Sequence, residues 1–227
     1  MSDTQSDNTG AEFAERTLAD IATTPPGAAA LFRSEKLDFC CGGAVSLRDA
    51  AAVERRDLNR LLAKLESLAA AAARAAAPQD TDALITSIET RYHQSHRREL
   101  PELIRSARRV EAVHRGVVSA PVGLADLLER IAVELESHMQ NEEKILFPLM
   151  RQGGHPAIGH PISMMMAEHD DHGAHLRALE ALTHDFTPAD EACTTWRGLY
   201  AATRKFADDL IEHIHTENNI LFPRFVA

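Results

Sequence analysis

Residues 138–148 read HMQNEEKILFP, and residues 213–223 repeat the pattern as HIHTENNILFP. In both stretches a His precedes a Glu by four residues, and Ile-Leu-Phe-Pro begins three residues after that Glu. Residues four apart lie one above the other on a helix, so each stretch offers an imidazole and a carboxylate from one helix face. That pairing suits a metal of intermediate hardness such as iron, manganese or zinc. The duplication predicts a helical bundle that holds two metal ions between its helices.

The composition favours a helical globular protein. Hydrophobic residues fill 44% of the 227 positions and charged residues 26%, whereas aromatic residues reach only 5%. Abundant Ala and Leu favour helix over sheet. The net charge of −10 argues against a protein whose main task is to bind nucleic acid or an anionic membrane.

The sequence carries no recognisable targeting segment. No apolar run approaches the length that crosses a bilayer, and the first ten residues are polar and acidic rather than basic and apolar. Three cysteines are too few for a disulfide scaffold. We therefore expect a cytoplasmic protein with reduced thiols and without a membrane partner.

Composition shifts divide the chain into three parts. Residues 1–12 are predicted to be a disordered tail, residues 13–77 a small helical domain, and residues 78–227 a four-helix domain. An alanine-rich run at residues 69–77 precedes the boundary and is compatible with an extension of the preceding helix.

The small domain contains a tight loop, DFCCGG, at residues 38–43. The paired glycines free the backbone to turn and leave Cys40 and Cys41 close to solvent. A disulfide between neighbouring cysteines is strained, and no further metal ligands lie nearby in the sequence. Two interpretations remain open, a reactive thiol pair and a pair of buried structural cysteines.

Four helices are predicted in the second domain, at residues 82–114, 124–150, 162–184 and 188–219. Pro101 should kink or break the first helix, and Thr187 with Pro188 should begin the fourth. The short connections favour an all-α, up-down-up-down bundle.

Each predicted helix places at least one His on its core-facing stripe, which is found by alternating steps of three and four residues. The stripes of the first and third helices contain His93, His96, Leu100, Leu103, Ala107 and Val110, and Ile162, Met165, His169, His172, Leu176 and Leu179. The stripes of the second and fourth helices contain Leu124, Leu128, Ile131, Leu135, His138, Glu142 and Ile145, and Trp196, Leu199, Thr203, Phe206, Leu210, His213, Glu217 and Ile220.

Two glutamates on buried stripes require compensation. An ionised Glu removed from water costs several kcal/mol or more unless a partner offsets the cost, and a metal pair can supply that partner. The separation of His138 from His213 nearly equals that of His93 from His169, which indicates that the first two helices are an approximate copy of the last two. Each copy would give one His from its first helix and a His-Glu pair from its second. Open positions on the metals would accept a hydroxide, an oxo group or a diatomic ligand.

Several neighbouring residues have open roles. His96 and His172 are candidates for a ligand, for a group that orients a ligand, or for surface residues. Glu168 can orient an imidazole or relay protons, whereas Glu143 is expected to face solvent. Cys193 is expected to be structural. Five other histidines are not expected to be ligands, namely His155, His160, His175, His184 and His215.

These motifs together resemble a known family. The stretch LDFCCGG, then RYHQSHRRELPEL at residues 91–103, the two His-x-x-x-Glu copies, and Glu-His-Asp at residues 168–170 are similar to the iron–sulfur cluster repair di-iron proteins. That family joins a small Cys-Cys N-terminal domain to a hemerythrin-like four-helix bundle. The resemblance covers nearly the whole chain after residue 12.

The resemblance implies a site and a cofactor. By position, the family's iron ligands fall on His93, His138, Glu142, His169, His213 and Glu217. Its cysteine pair falls on Cys40 and Cys41, with a redox or thiol role. The implied cofactor is a carboxylate-bridged pair of iron ions, oxo- or hydroxo-bridged when oxidised.

The resemblance also implies a function, the repair or protection of iron–sulfur clusters damaged by nitrosative or oxidative stress. The expected partners are nitric oxide or dioxygen and client iron–sulfur proteins, with the chain itself a monomer or a homodimer. Two other functions stay open, a hemerythrin-like oxygen or nitric oxide sensor or carrier, and a di-iron nitric oxide reductase. The cysteine domain argues against a pure carrier.

Overall fold

The structure of the protein, a computed structural model, describes residues 12–23, 25, 27–40, 42–72 and 80–226. The predicted tail, apart from Glu12, and the predicted boundary near residue 77 lie outside these residues.

The chain divides into two compact units. The first comprises Met1–Asp80 together with Ile214–Arg224, and the second comprises Thr81–His213 together with Phe225–Ala227. The last long helix passes from the second unit into the first without a break, so its final turns belong to the first unit.

Short helices build the N-terminal part of the first unit: α1 (Leu18–Thr23), α2 (Ala28–Ser34), α3 (Leu47–Val53) and α4 (Leu58–Ala72). Their apolar faces form a core that includes Leu18, Ile21, Phe32, Leu47, Leu61 and Leu65. Ser46 caps α3, because its hydroxyl accepts a hydrogen bond from the Asp49 amide at 3.1 Å.

The loop that carries Cys40 folds back on α1. The Gly43 carbonyl accepts a hydrogen bond from the Ala19 amide at 2.9 Å. A Cβ atom at Gly43 would collide with the Phe39 carbonyl and with the Ala19 methyl group. Only glycine therefore permits this close approach of the two backbones.

The helices that follow along the chain are α5 (Thr81–Ile88), α6 (Gln94–Val113), α7 (Leu124–Asn141), α8 (Phe147–Arg151), α9 (Gly159–Leu182) and α10 (Thr194–Thr216). Three π-helical turns continue them, at Glu89–His93, Glu142–Leu146 and Glu217–Leu221. A π-helical turn joins α5 to α6, and another joins α7 to α8. The helix runs through Pro101 without the predicted break.

Side-chain contacts between the long helices show that neighbouring helices run in opposite directions. Arg97 pairs with Glu136 at 2.8 Å, whereas Arg108, further along α6, pairs with the earlier residue Glu129 at 2.9 Å. Helices α7 and α9 are also antiparallel, as the contacts His138–Glu168 and Glu134–His175 show. The contacts Arg91–Glu212 and Glu99–Lys205 show the same for the first long helix and α10. The predicted all-α, up-down-up-down arrangement is confirmed.

The second π-helical turn changes which residues face the core. The Phe147 amide bonds to the Glu142 carbonyl five residues earlier, which adds one residue to the turn. As a result Leu146 is 1% exposed, whereas Ile145 is 54% exposed. The prediction that Ile145 continues the buried stripe is wrong because it assumed a regular helical period.

The third π-helical turn has the same consequence at the second copy of the motif. The Phe222 amide bonds to the Glu217 carbonyl, Leu221 is buried, and Ile220 is only half-buried. In both copies the residue after the Phe is Pro, which has no amide proton to leave unpaired. The Ile-Leu-Phe-Pro repeat thus fits a π-helical turn better than a regular helix.

The fourth long helix begins later than the sequence predicts. It starts at Thr194 rather than at Pro188, because residues 189–192 form a loop whose carbonyls accept hydrogen bonds from the Arg197 guanidinium. Positive φ angles at residues 184–186 turn the chain before that loop.

Within the described residues, no helix combines the length and the apolar character that a membrane span requires. The only extended pairing there is an isolated bridge between Thr17 and Ser46.

We expect Gly43→Ala to lower the free energy of unfolding by about 1–3 kcal/mol, because the new methyl group meets a fixed backbone carbonyl. Urea unfolding followed by far-UV circular dichroism measures this change. The matched control is Gly198→Ala on α10, where an added Cβ meets nothing within 4 Å. That control should gain about 0.5–1 kcal/mol, and equal stability of the two variants would contradict the expected clash.

Candidate metal centre

The structure brings together the six residues that the sequence singled out as metal ligands. Two groups can each hold a cation, one of His93, Glu142, His213 and Glu217, and the other of His138, Glu142, His169 and Glu217. In each group, one ligand atom from every residue lies within 4.8 Å of the others, and all six residues are buried. Both glutamates belong to both groups.

The imidazoles point at one another in pairs. The Nε2 atoms of His93 and His213 lie 3.1 Å apart, and those of His138 and His169 lie 3.0 Å apart. In each pair, the Nδ1 atom of one ring donates a hydrogen bond to a carboxylate. The Nε2 atom of that same ring then has a free lone pair for a metal. Lone pairs that converge at this distance suit a shared cation.

Glu143 orients the first of these rings. Its Oε1 atom lies 2.7 Å from the His93 Nδ1 atom, and the Arg97 guanidinium also donates to both of its oxygens. Burial opposes the charge of Glu143, but the hydrogen bonds from Arg97 and His93 hold its pKa below the ordinary value. The expectation that Glu143 simply faces solvent is wrong. A regular helix would place it about 100° away from Glu142, so the spacing gave no signal for this contact.

Glu168 holds the corresponding position at the second pair. Its Oε2 atom lies 2.6 Å from the His138 Nδ1 atom, and this hydrogen bond lowers the pKa of Glu168. An ionised acceptor fixes the tautomer and the ring direction of His138 and raises the basicity of its Nε2 atom.

Glu142 lies between the two halves of the site. Its Oε2 atom is 3.5 Å from the His93 Nε2 atom and 3.4 Å from the His138 Nε2 atom. The side chain has no solvent exposure. One carboxylate therefore reaches ligands of both groups, which is the position that a shared ligand of two metals requires.

The chemistry of the donors fits a pair of ions of intermediate hardness. Four imidazole nitrogens and two carboxylates provide mixed nitrogen and oxygen ligands without a thiolate, a set typical of iron and manganese. Two positive ions would also offset the burial of two carboxylates. Together with the fold, these buried groups indicate metal binding.

His96 and His172 are buried beside the centre, but neither belongs to its two groups. His96 packs against Phe206, with ring centroids 5.3 Å apart. Burial lowers the pKa of His172 to about 3, so this ring is neutral at physiological pH.

The cysteine loop packs within the first unit. Cys40 is half-buried, and its thiol donates to the Asp38 carboxylate over 3.5 Å. The Cys40 carbonyl accepts a hydrogen bond from the Asn218 side-chain amide at 3.5 Å. The Phe39 ring packs edge-on against the His215 ring, with ring centroids 4.9 Å apart. Cys41 lies outside the described residues.

Cys193 is an exposed, free cysteine. It immediately precedes α10, and its sulfur lies 3.3 Å from the His114 Nε2 atom. A hydrogen bond from the Trp196 amide, followed by the contact with His114, lowers the pKa of this thiol to about 7.

Comparison with known proteins agrees with this architecture. The family described as "Hemerythrin HHE cation binding domain" matches residues 84–225, and the ScdA_N family, described as "Domain of Unknown function (DUF542)", matches residues 14–69. The iron-sulfur cluster repair protein YtfE of Dickeya chrysanthemi is 45% identical over 214 residues, which cover 93% of this chain and 97% of the relative. This chain belongs to the family of hemerythrin-domain iron–sulfur cluster repair proteins.

Other members of the family are equally similar. The YtfE protein of Musicola paradisiaca is 46% identical over 218 residues, which cover 93% of this chain and 96% of the relative. The YtfE protein of Citrobacter koseri is 45% identical over 223 residues, which cover 95% of this chain and 98% of the relative. The resemblance seen in the sequence motifs is thereby confirmed.

We expect Glu168→Gln to weaken metal binding by about 10- to 100-fold, because the neutral amide is a poorer acceptor for the His138 ring proton. Competition with a chromophoric chelator measures the affinity. Asp170→Asn, an exposed change two residues away, is the control and should bind metal like the parent chain. Equal metal affinity of the parent chain and both variants would show that Glu168 does not support metal binding.

The reactivity of Cys193 should depend on pH around neutrality. Its thiolate fraction, and therefore its alkylation by iodoacetamide, should rise with a midpoint near pH 7, because the folded-state pKa is about 7. Mass spectrometry of the peptide that contains Cys193 reads this thiol separately from Cys40 and Cys41. Urea-unfolded protein is the control, with a midpoint near about 8.5. An identical midpoint in the folded protein would show that the Trp196 amide and His114 do not act on the thiol.

Proposed function

We propose that this protein is a cytoplasmic di-iron protein that repairs or protects iron–sulfur clusters damaged by nitrosative or oxidative stress. The observation that carries the proposal is the pair of buried ligand groups that share Glu142 and Glu217. Relatives named for iron–sulfur cluster repair match this chain over nearly their whole length, with both domains included.

Each iron would have its own imidazoles and would share the carboxylates. His93 and His213 would hold one ion, and His138 and His169 the other, with Glu142 and Glu217 common to both. Bound iron supplies exchange between its ferrous and ferric states and open positions for a small ligand such as nitric oxide or dioxygen.

The surrounding residues prepare the site for iron. Glu143 and Glu168 accept the Nδ1 protons of His93 and His138, which keeps the Nε2 atoms free of protons for metal binding. The Arg97 guanidinium keeps Glu143 ionised. Complete burial of the ligands excludes bulk water, so iron exchanges only where the protein provides a route.

The role of the small domain rests on its packing. Phe39 contacts His215, two residues before Glu217, and Cys40 contacts Asn218, the residue directly after Glu217. We propose that residues 13–77 form the domain that brings the cysteine loop to the end of the helix that bears a shared ligand. Cys40 and Cys41 would then act by redox or thiol chemistry, or contact client iron–sulfur proteins.

The first test is metal content. Protein from iron-replete cells should contain about two irons per chain, and replacement of both Glu142 and Glu217 by Gln should remove the dinuclear iron, because the shared carboxylates are lost. Metal analysis and absorption spectroscopy give the stoichiometry and the type of centre, and circular dichroism confirms the fold. Asp171→Asn is a matched surface control. Retention of two irons by the double variant would refute the ligand assignment.

The second test concerns repair itself. An enzyme with a [4Fe–4S] cluster damaged by nitric oxide should regain activity with the iron-loaded protein, but not with the double glutamine variant loaded in parallel. Rapid reversible dioxygen binding without repair would favour a carrier or sensor. Turnover that forms nitrous oxide without repair would favour a nitric oxide reductase.

A further inference from the structure

A third cluster of metal-binding side chains lies outside the dinuclear centre. Glu134 on α7 and His172 and His175 on α9 each place one ligand atom within 4.8 Å of the others. The His175 Nδ1 atom is 3.5 Å from the Glu134 Oε2 atom. The proposed function assigns no role to these three residues.

The buried member of this cluster has an unsatisfied ring. His172 is 2% exposed, and neither of its ring nitrogens has a hydrogen-bond partner among the described residues. A buried polar group without a hydrogen-bond partner lowers the stability of the folded protein. A ligand that binds one of the ring nitrogens would satisfy this buried imidazole.

The cluster lies one helical turn beyond the dinuclear centre on both of its helices. Glu134 precedes His138 by four residues on α7, and His172 follows His169 by three on α9. The His172 and His138 rings are 5.1 Å apart. An ion bound by this cluster would be adjacent to an ion bound by His138.

Exposure decreases through the cluster toward the centre. The Glu134 side chain is 47% exposed and the His175 side chain 20%, whereas His172 is buried. The three donors thus extend from the protein surface to a buried ring that lies beside His138.

The other half of the internal repeat holds a cation at the equivalent place. When the two halves are aligned on their ligand histidines, Glu134 corresponds to Asp209 and His175 corresponds to Glu99. The Lys205 ammonium donates to Asp209 at 2.7 Å and to Glu99 at 2.6 Å. On the side of Glu134, the His175 imidazole takes the place of the Glu99 carboxylate, and imidazole favours a metal ion over an ammonium group.

We propose that Glu134, His172 and His175 bind a third divalent cation of intermediate hardness and pass iron between solvent and the dinuclear centre. The binding site stands on the geometry alone, whereas the passage of iron rests on the proposed function. Two imidazoles and one carboxylate leave coordination positions for water, so the ion should be held more weakly than at the six-ligand centre. Weak, exchangeable binding is what a transfer site requires.

The binding test uses holoprotein that already carries two irons. Equilibrium dialysis against Co²⁺, with cobalt and iron both counted, should show about one cobalt per chain without loss of iron. Glu134→Gln and His175→Ala should each weaken cobalt binding by about 10-fold or more. His160→Ala, a change in the first turn of α9 away from the cluster, is the matched control and should leave binding unchanged. Absence of the third ion, or equal binding by all variants, would overturn the site.

The transfer test follows the loading of metal-free protein with limiting Fe²⁺ under anaerobic conditions. Glu134→Gln should slow loading several-fold, yet the final content should still reach two irons, because the dinuclear ligands are intact. This exposed residue can be changed without opening a cavity, which keeps the test independent of folding. A normal loading rate despite lost cobalt binding would overturn the transfer role. Failure of the repair assay with intact cobalt binding would refute the proposed function and not the site.

Discussion

The burial of two carboxylates among imidazoles is the constraint on which the rest of the bundle depends. Glu142 and Glu217 have no solvent exposure, and an ionised carboxylate in such a place costs several kcal/mol unless positive charge offsets it. The imidazoles around them offer nitrogen lone pairs, so a cation is the partner that satisfies both residue types. Four helices must therefore bring their donors to one place within a few tenths of an ångström, a precision that rigid packed helices can supply.

The π-helical turns are the local distortions that accompany this requirement. Each of the two His-Glu motifs ends in one, and a third contains His93. Such turns are less favourable than regular helix and concentrate at functional sites. Here each π-helical turn after a shared glutamate contains one extra residue, which changes the side chains that face the core. As a result Leu146 and Leu221 are buried. The proline that follows each turn removes a donor that the distorted ladder would otherwise leave unpaired.

The internal repeat is symmetric in its candidate ligands and asymmetric around them. Glu143 orients His93, but its counterpart in the second copy of the motif is Asn218, which instead donates to the Cys40 carbonyl in the first unit. The third cluster occupies one half, and the Lys205 ion pairs occupy the equivalent place in the other. A duplicated scaffold can thus keep the same candidate ligands in both halves while the residues that flank them differ.

The sequence by itself determined the four-helix architecture and the six candidate ligands, because helical periodicity is a local property that places His138 with Glu142, and His213 with Glu217, on one face. The apolar stripe also predicted most of the core correctly. Only the tertiary structure decided that Glu143 and Glu168 hold the imidazoles, and that Cys193 meets His114. Those contacts join residues from different helices, and their geometry depends on how the helices pack and on an extra residue in each π-helical turn. A regular helical period could not predict that Ile145 is exposed, because that depends on the hydrogen bond from the Phe147 amide to the Glu142 carbonyl. Nor could it predict that α10 begins at Thr194, because the Arg197 side chain holds the preceding loop.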